Sequence, residues 1–190
     1  MNNKALWIAV ALTGLIAIAA VVSYLTVDRS LRGSVIDPPF AAAEIALTDS
    51  NGEPFTLSQL RGNVALIFFG FTNCPDECPL AMANLKLAVE MLGTRGDQVR
   101  VLLVTTDPKR DTPQALRDFL GRFNPRFLGL TGTEAQLSKV WKDYGVTVMD
   151  GGATHSNYIY VIDESGMLVE TVLADSGPED IAADLRLLLR

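Results

Sequence analysis

The sequence predicts an α/β fold, and two observations carry this prediction. Two continuous apolar runs, Val64–Phe71 and Val99–Thr106, have the length and the β-branched and aromatic content of strands buried on both faces. Between these runs, apolar residues recur at helical spacing from Cys78 to Leu92. We therefore expect residues 64–106 to form a β-α-β unit with parallel strands.

Short strands and helices are expected on both sides of this unit. Thr112 and Thr133 are predicted to cap helices, Thr133 together with Gln136 in a capping box, and Ser176 is predicted to cap the last helix. The other expected elements are strands over Glu44–Asp49, Pro54–Leu57, Phe127–Leu130, Tyr158–Ile162 and Met167–Leu173, and helices over 113–123, 134–144 and 179–189. A parallel β-α-β unit followed by an antiparallel hairpin and a final helix is typical of a thioredoxin-like fold.

The amino-terminal residues form a separate region. Residues 5–27 carry no charge, and as a helix rising about 1.5 Å per residue they would extend about 35 Å, enough to cross a hydrocarbon core of about 30 Å. The alternative is a cleaved signal peptide, since residues 17–19 match a cleavage pattern, but the apolar run continues through Leu25. We therefore expect a transmembrane helix within residues 1–27. Either interpretation directs the rest of the chain out of the cytoplasm.

A linker and an acidic domain are expected to follow the apolar segment. Residues 28–43 include Gly33 and two prolines and lack a periodic pattern, which is typical of a linker. The thioredoxin-like domain is then expected over residues 44–190. The chain has a net charge of −6 and no basic cluster, and this balance argues against nucleic acid as a partner because phosphate backbones are repelled.

The two cysteines of the chain, Cys74 and Cys78, follow the first buried strand where a helix is expected to begin. Amide groups and the positive dipole end at a helix start favour thiolates, and residues four apart lie on one helix face. Paired sulfur ligands select Cu(I), zinc or iron–sulfur clusters over hard cations. A structural disulfide is the alternative, although a bridge over so short a loop constrains the unfolded chain little. Cys78 alone could also be core filler.

His155 is the single histidine, and it precedes the strand expected beside the carboxyl end of the first buried strand. Taken alone, such a histidine is more often a polar surface residue. With a dithiol across the fold, however, two sulfurs and one imidazole form a three-coordinate set suited to copper. A structural zinc site would need a fourth ligand, and an iron–sulfur cluster would need more thiolates than the chain has.

The chain resembles the Sco (SenC/PrrC) family of copper proteins over about residues 40–175. The resemblance rests on Phe-Gly-Phe-Thr-Asn-Cys-Pro-Asp-Glu-Cys-Pro at 69–79, Asp-Pro-Lys-Arg-Asp-Thr-Pro at 107–113, Gly-Leu-Thr-Gly-Thr at 129–133 and His-Ser at 155–156. It implies that Cys74, Cys78 and His155 are the copper ligands, for Cu(I) and also for Cu(II). The family commonly has an acid directly before its histidine, where this chain has Thr154, a change that bears on copper affinity and choice of partner.

The resemblance also implies a function and a location. It predicts a membrane-anchored copper chaperone that helps to mature the binuclear copper centre of cytochrome c oxidase. The partner would be the copper-bearing subunit of that oxidase, or another protein that donates or accepts copper. The domain would face the periplasm, the outside of the cell membrane or the mitochondrial intermembrane space.

Two other functions for the same cysteines stay open. A thiol–disulfide reductase would use Cys74 and Cys78 as a redox-active dithiol to keep the copper-binding cysteines of a client reduced. A thioredoxin-like peroxidase fits less well, because the prolines that follow both cysteines match the metal-binding family. We therefore expect a protein that is not an enzyme in the strict sense.

Two further groups of residues are candidates for a role near the site. Asp107, Arg110 and Asp111 follow the second buried strand, either as an ion-paired loop that precedes the helix cap at Thr112 or as charges that dock a partner. Met149 is a candidate auxiliary soft ligand.

Overall fold

The structure is a computed structural model, and it describes residue 8 and residues 12–18, 30–149 and 157–189. The chain divides into two compact units, Met1–Ser30 and Leu31–Arg190. In the first unit, residues 12–18 are helical. Much of the transmembrane helix predicted within residues 1–27 lies outside the described residues, and no helix among the residues that are described is long and apolar enough to cross a membrane.

The second unit is an eight-stranded mixed sheet with four helices, counted over its described residues. Its strands are β1 (Ser34–Ala41), β2 (Ala46–Asp49), β3 (Pro54–Thr56), β4 (Val64–Gly70), β5 (Val99–Thr105), β6 (Leu128–Thr131), β7 (Tyr158–Ile162) and β8 (Met167–Leu173). Its α-helices are α1 (Glu77–Glu90), α2 (Pro113–Leu120), α3 (Glu134–Asp143) and α4 (Pro178–Leu188), and short 3-10 helices cover Leu57–Leu60 and Gly93–Gln98. The strand order in the sheet is β1-β8-β7-β4-β5-β6-β2-β3.

The predicted β-α-β unit and hairpin form the centre of this sheet. Strands β4, β5 and β6 run parallel, while β7 runs antiparallel to β4 and to β8. The central strand β4 is buried along its whole length because both of its faces are covered. Phe68 packs in the core that includes residues of α1 and α4, and Phe69 packs on the opposite face with residues of α3. The mixed α/β, thioredoxin-like fold is confirmed.

The helix starts agree with the sequence at two of three positions. The side chain of Thr112 accepts a hydrogen bond from the amide of Ala115 at 3.2 Å, and Thr133 and Gln136 form the predicted capping box. The cap predicted at Ser176 is wrong. Helix α4 has Gly177 in that position, without a side-chain cap, and its first helical residue is a proline, whose backbone is preset for a helix start.

The segment expected to be a linker, residues 28–43, contains the strand β1 (Ser34–Ala41). Within it, β1 pairs antiparallel with β8, and Ala41 lies opposite Met167. An edge strand has a neighbour on one side only, so it tolerates prolines and needs no regular apolar pattern. The backbone amides of Arg32 and Gly33 also donate to Asp184 and Glu170, at 2.9 and 2.7 Å. These long-range contacts have no local signature in the sequence, which is why the sequence pattern does not predict the strand.

Candidate functional site

The two cysteines meet at the carboxyl end of β4. Cys78 lies in the first turn of α1 and is only 3% exposed, whereas Cys74 lies in the preceding loop and is partly exposed. Both are free thiols. The amide of Cys78 donates a hydrogen bond to Cys74 Sγ at 3.4 Å, so the sulfur occupies the place of a helix-capping oxygen.

This contact corrects one part of the sequence prediction. The two sulfurs were expected to converge because residues four apart share a helix face, but Cys74 precedes α1. The convergence comes from a turn, in which the amide of Cys74 donates to the carbonyl of Phe71 at 3.3 Å.

The environments of the two sulfurs differ. Burial raises the pKa of the Cys78 thiol well above its usual range; the backbone of Phe71 acts in the opposite direction, and the neighbouring Cys74 side chain adds to the rise. The helix start was expected to favour a thiolate at this position, but desolvation outweighs that effect. A metal ion that binds Cys78 must therefore displace a proton.

Gly70, the last residue of β4, leaves the space that the buried sulfur needs. A Cβ atom at this position would lie 2.8 Å from Cys78 Sγ and 2.8 Å from Phe68 Cε1. Neither atom can withdraw cheaply, because both side chains are packed in the core. Sequence reasoning gave Gly70 no role, although a glycine at the end of a buried strand is a known signal of close approach.

Asp111 joins β5 to the loop between β4 and α1, residues 71–76, which carries Cys74 and is called the cysteine loop below. Its carboxylate accepts hydrogen bonds from the amide of Thr72 at 3.2 Å to each oxygen and from the hydroxyl of Thr72 at 2.5 Å. It also accepts from the hydroxyl of Thr105, the last residue of β5, at 2.6 Å. Asp111 is 1% exposed, so these bonds form away from solvent. Sequence reasoning placed Asp111 near the dithiol but did not identify its contact with Thr72.

The other two charged residues predicted near the site, Asp107 and Arg110, form an ion pair. This agrees with the interpretation of residues 107–111 as an ion-paired loop. Arg110 Nε forms an ion pair with the carboxylate of Asp107, and the guanidinium lies 6.0 Å from the centroid of the Phe71 ring. The amides of Arg110 and Asp111 donate to the carbonyl of Asp107 at 3.1 and 3.0 Å. The loop therefore contacts the cysteine loop at two neighbouring residues, Phe71 and Thr72.

The third predicted ligand, His155, lies outside the described residues, as does Thr154. Among the residues that the structure describes, no group of three or more His, Cys, Asp and Glu side chains could hold a metal ion. Met149 is described and is 44% exposed, and it lines an open groove with Trp141 and Lys109. Among the described residues, Cys74 and Cys78 are the predicted ligands that the structure brings together.

Two adjacent sulfurs at the carboxyl end of a central strand support two kinds of chemistry. They can share one soft metal ion, or they can cycle between a dithiol and a disulfide. The partly exposed Cys74 can be reached by a partner, while Cys78 is held by the helix and the core. The described geometry is compatible with both.

Comparisons with known proteins identify the family. A sequence profile described as SCO1/SenC matches residues 35–190. An SCO2-like protein of Rickettsia conorii is 35% identical over 187 residues, which cover 92% of this chain and 91% of that protein. A structure of Bradyrhizobium japonicum ScoI with copper bound matches with a TM-score of 0.69 at 34% identity, covering 78% of this chain and 99% of that one. Yeast Sco1 with copper bound matches with a TM-score of 0.70 at 32% identity, covering 78% and 87%. The chain belongs to the SCO1/SenC family.

Proposed function

We propose that this protein is a copper chaperone in which reduced Cys74 and Cys78 bind copper together with His155. The observation that carries the proposal is the contact between the two cysteines at the end of β4, one buried and one accessible. Two thiolates suit Cu(I), and a site with few ligands leaves room for an incoming ligand during transfer. The relatives solved with copper bound support the choice of metal.

The topology around β7 supports His155 as the third ligand. Ile159 of β7 pairs with Phe68 of β4, so the start of β7 runs beside the strand end that leads to the cysteines. His155 precedes Tyr158 by three residues in the sequence, and three residues span at most about 11 Å. This short span supports a ligand set in which His155 joins the two cysteines at the carboxyl end of β4.

The amino-terminal sequence supports a membrane tether for this chaperone. The uncharged residues 5–27 fit an anchor within residues 1–27, which would keep the domain outside the cytoplasm and near membrane-bound clients. The client that the family resemblance favours is the copper-bearing subunit of cytochrome c oxidase, whose binuclear centre would receive the metal. Another copper-donating or copper-accepting protein is the alternative partner.

The test is a Cu(I) titration of the full chain in detergent micelles, under reducing conditions, against a chromophoric Cu(I) chelator. We expect one Cu(I) per chain for the wild type and loss of tight binding in Cys74→Ala, Cys78→Ala and His155→Ala. Met149→Ala is the matched control, since it removes a soft sulfur that is not among the three proposed ligands, and it should bind as the wild type does. If both single cysteine variants still bind one Cu(I) tightly, the assignment is wrong.

A second candidate function, thiol–disulfide exchange with a client, is favoured by the unequal exposure of the two sulfurs. An accessible Cys74 can attack a client disulfide, and the adjacent Cys78 can resolve the mixed disulfide. This activity needs both cysteines but not the histidine. Exchange that survives in His155→Ala while Cu(I) binding is lost would show that the two activities are separable.

A further inference from the structure

We propose that Asp111 is a positioning residue of the dithiol site, which acts through Thr72 to hold Cys74 where its sulfur meets Cys78. This inference rests on the proposed function, because it assigns a role toward the same pair of sulfurs. Asp111 touches neither cysteine in any contact described above. Its effect must therefore pass through the backbone of the loop between β4 and α1.

The hydrogen bonds of Asp111 connect the ends of two neighbouring strands. Thr105 ends β5, and Thr72 lies two residues beyond the end of β4. The carboxylate accepts from the hydroxyls of both residues and from the amide of Thr72, and all three donors are neutral. Hydrogen bonds to an ionised acceptor are about twice as strong as neutral ones, so this bridge fixes the loop firmly.

In the loop between β5 and α2, residues other than Asp111 cap the helix and form the ion pair. The cap of α2 is the side chain of Thr112, and the ion pair is formed by Asp107 and Arg110. A buried carboxylate is costly unless its hydrogen bonds are satisfied, and those of Asp111 are satisfied mainly by the cysteine loop. The contacts of Asp111 therefore indicate that its role is to hold the cysteine loop in place.

The path of the chain connects this brace to the sulfur. Thr72 is two residues before Cys74, and it lies inside the turn that is closed by the amide of Cys74 donating to the carbonyl of Phe71. Cys78, in contrast, is held by α1 and by core packing around Gly70. Release of Thr72 should therefore move Cys74 while Cys78 stays in place, and the two sulfurs would no longer converge.

The experiment compares four variants of the full chain: Asp111→Asn, Thr72→Val, Thr72→Ser and Asp118→Asn. The side-chain amide introduced by Asp111→Asn would direct a donor at the donors of the loop, and Thr72→Val removes only the hydroxyl bond. Thr72→Ser restores that hydroxyl. Asp118→Asn is the matched control, because it makes the same charge change at an exposed residue of α2.

Three quantities are measured for each variant: Cu(I) affinity, the equilibrium constant of the Cys74–Cys78 disulfide with glutathione, and the thermal unfolding midpoint. Groups that orient metal ligands typically change metal affinity about 10- to 100-fold, and we expect a loss of this size in Asp111→Asn and a smaller loss in Thr72→Val. The glutathione constant should shift in the same two variants. Thr72→Ser and Asp118→Asn should match the wild type in both quantities.

The outcomes separate this inference from the proposed function. If the wild type binds Cu(I) but Asp111→Asn and Thr72→Val match it in both affinity and glutathione constant, the positioning role is wrong and the chaperone stands. If the wild type fails to bind Cu(I), the chaperone is wrong, and the glutathione constant alone decides the role of Asp111. A lower unfolding midpoint without either change identifies a merely structural residue. Should Asp111→Asn fail to fold, the pair Thr72→Val and Thr72→Ser gives the answer.

Discussion

Gly70 and Cys78 are complementary: the space beside the backbone of Gly70 is filled by the sulfur of Cys78, and a Cβ atom there would lie 2.8 Å from that sulfur. The glycine ends a strand that is buried throughout, so the nearby backbone has little freedom to yield. The position of the Cys78 sulfur therefore depends on the absence of a side chain at Gly70.

Replacement of Gly70 by Ala should displace the Cys78 sulfur and overpack the core. We expect the free energy of unfolding to fall by about 1–3 kcal/mol and Cu(I) affinity to fall with it. Denaturant unfolding and the chelator titration measure the two effects. The matched control is Gly177→Ala, whose Cβ would meet only the Glu179 carboxylate at 3.3 Å. Wild-type Cu(I) affinity in Gly70→Ala would mean that the close approach does not shape the site.

The unequal burial of the two sulfurs predicts unequal reactivity. Cys78 is buried and its pKa is raised by that burial, so at neutral pH it is both hidden and protonated. Cys74 is partly exposed. In the reduced metal-free protein, Cys78→Ser, which retains Cys74, should react with a thiol-modifying reagent at least about tenfold faster than Cys74→Ser does.

A disulfide reagent that releases a coloured thiolate follows this reaction. The rates of both single variants in denaturant serve as the control, because unfolding exposes each cysteine equally and should bring the rates together. Equal rates in the native protein would show that Cys78 is as accessible as Cys74, contrary to the structure.

Local patterns predicted the parts of the fold whose physics is local. The apolar run of β4 and the helical spacing of α1 located the β-α-β unit, and the position of the two cysteines after β4 located the site. Thr112 and Thr133 cap their helices as expected, since capping depends on residues within one turn.

The features that the sequence did not predict depend on residues far apart along the chain or on close packing. Gly70 is important for the site because the Cys78 sulfur packs against its backbone. Asp111 is important because it follows β5 but accepts hydrogen bonds from Thr72, which follows β4. The edge strand β1 depends on β8, more than a hundred residues later. His155, a prediction from the resemblance, stays a prediction because it lies outside the described residues.

Glu170 and Asp184 form a buried pair of carboxyl groups beneath the start of β1. Glu170 accepts from the amide of Gly33, and Asp184 accepts from the amide of Arg32. The second oxygens of the two groups, Glu170 Oε2 and Asp184 Oδ2, are buried and have no hydrogen-bond partner. We expect the pair to hold a proton in the folded state, because that proton would supply a donor for these atoms. Arg32, whose amide donates to Asp184, also forms an ion pair through its Nε with Asp180 at 3.3 Å.

This pair should make the stability of the fold depend on pH. Burial, with the neighbouring Asp184 as a second cause, raises the pKa of Glu170 from 4.5 to about 7. When the pKa of a group is higher in the folded state, its contribution to stability is fully present at pH values below its unfolded-state pKa. That contribution is lost as the pH rises to the folded-state pKa. The free energy of unfolding should therefore fall between about pH 4.5 and pH 7, by at most about 3 kcal/mol, and then level off.

Glu170→Gln isolates this effect, because a glutamine can accept from Gly33 and donate to Asp184 at every pH. Other carboxyl groups also titrate, so the quantity to measure is the difference in unfolding free energy between wild type and variant, from denaturant curves at about pH 4.5 to 8. The wild type should lose stability relative to Glu170→Gln as the pH rises to about 7. Glu179→Gln, at an exposed residue of α4, should show no such trend. A difference for Glu170→Gln that stays constant across the range would mean that the pair holds no extra proton in the folded state.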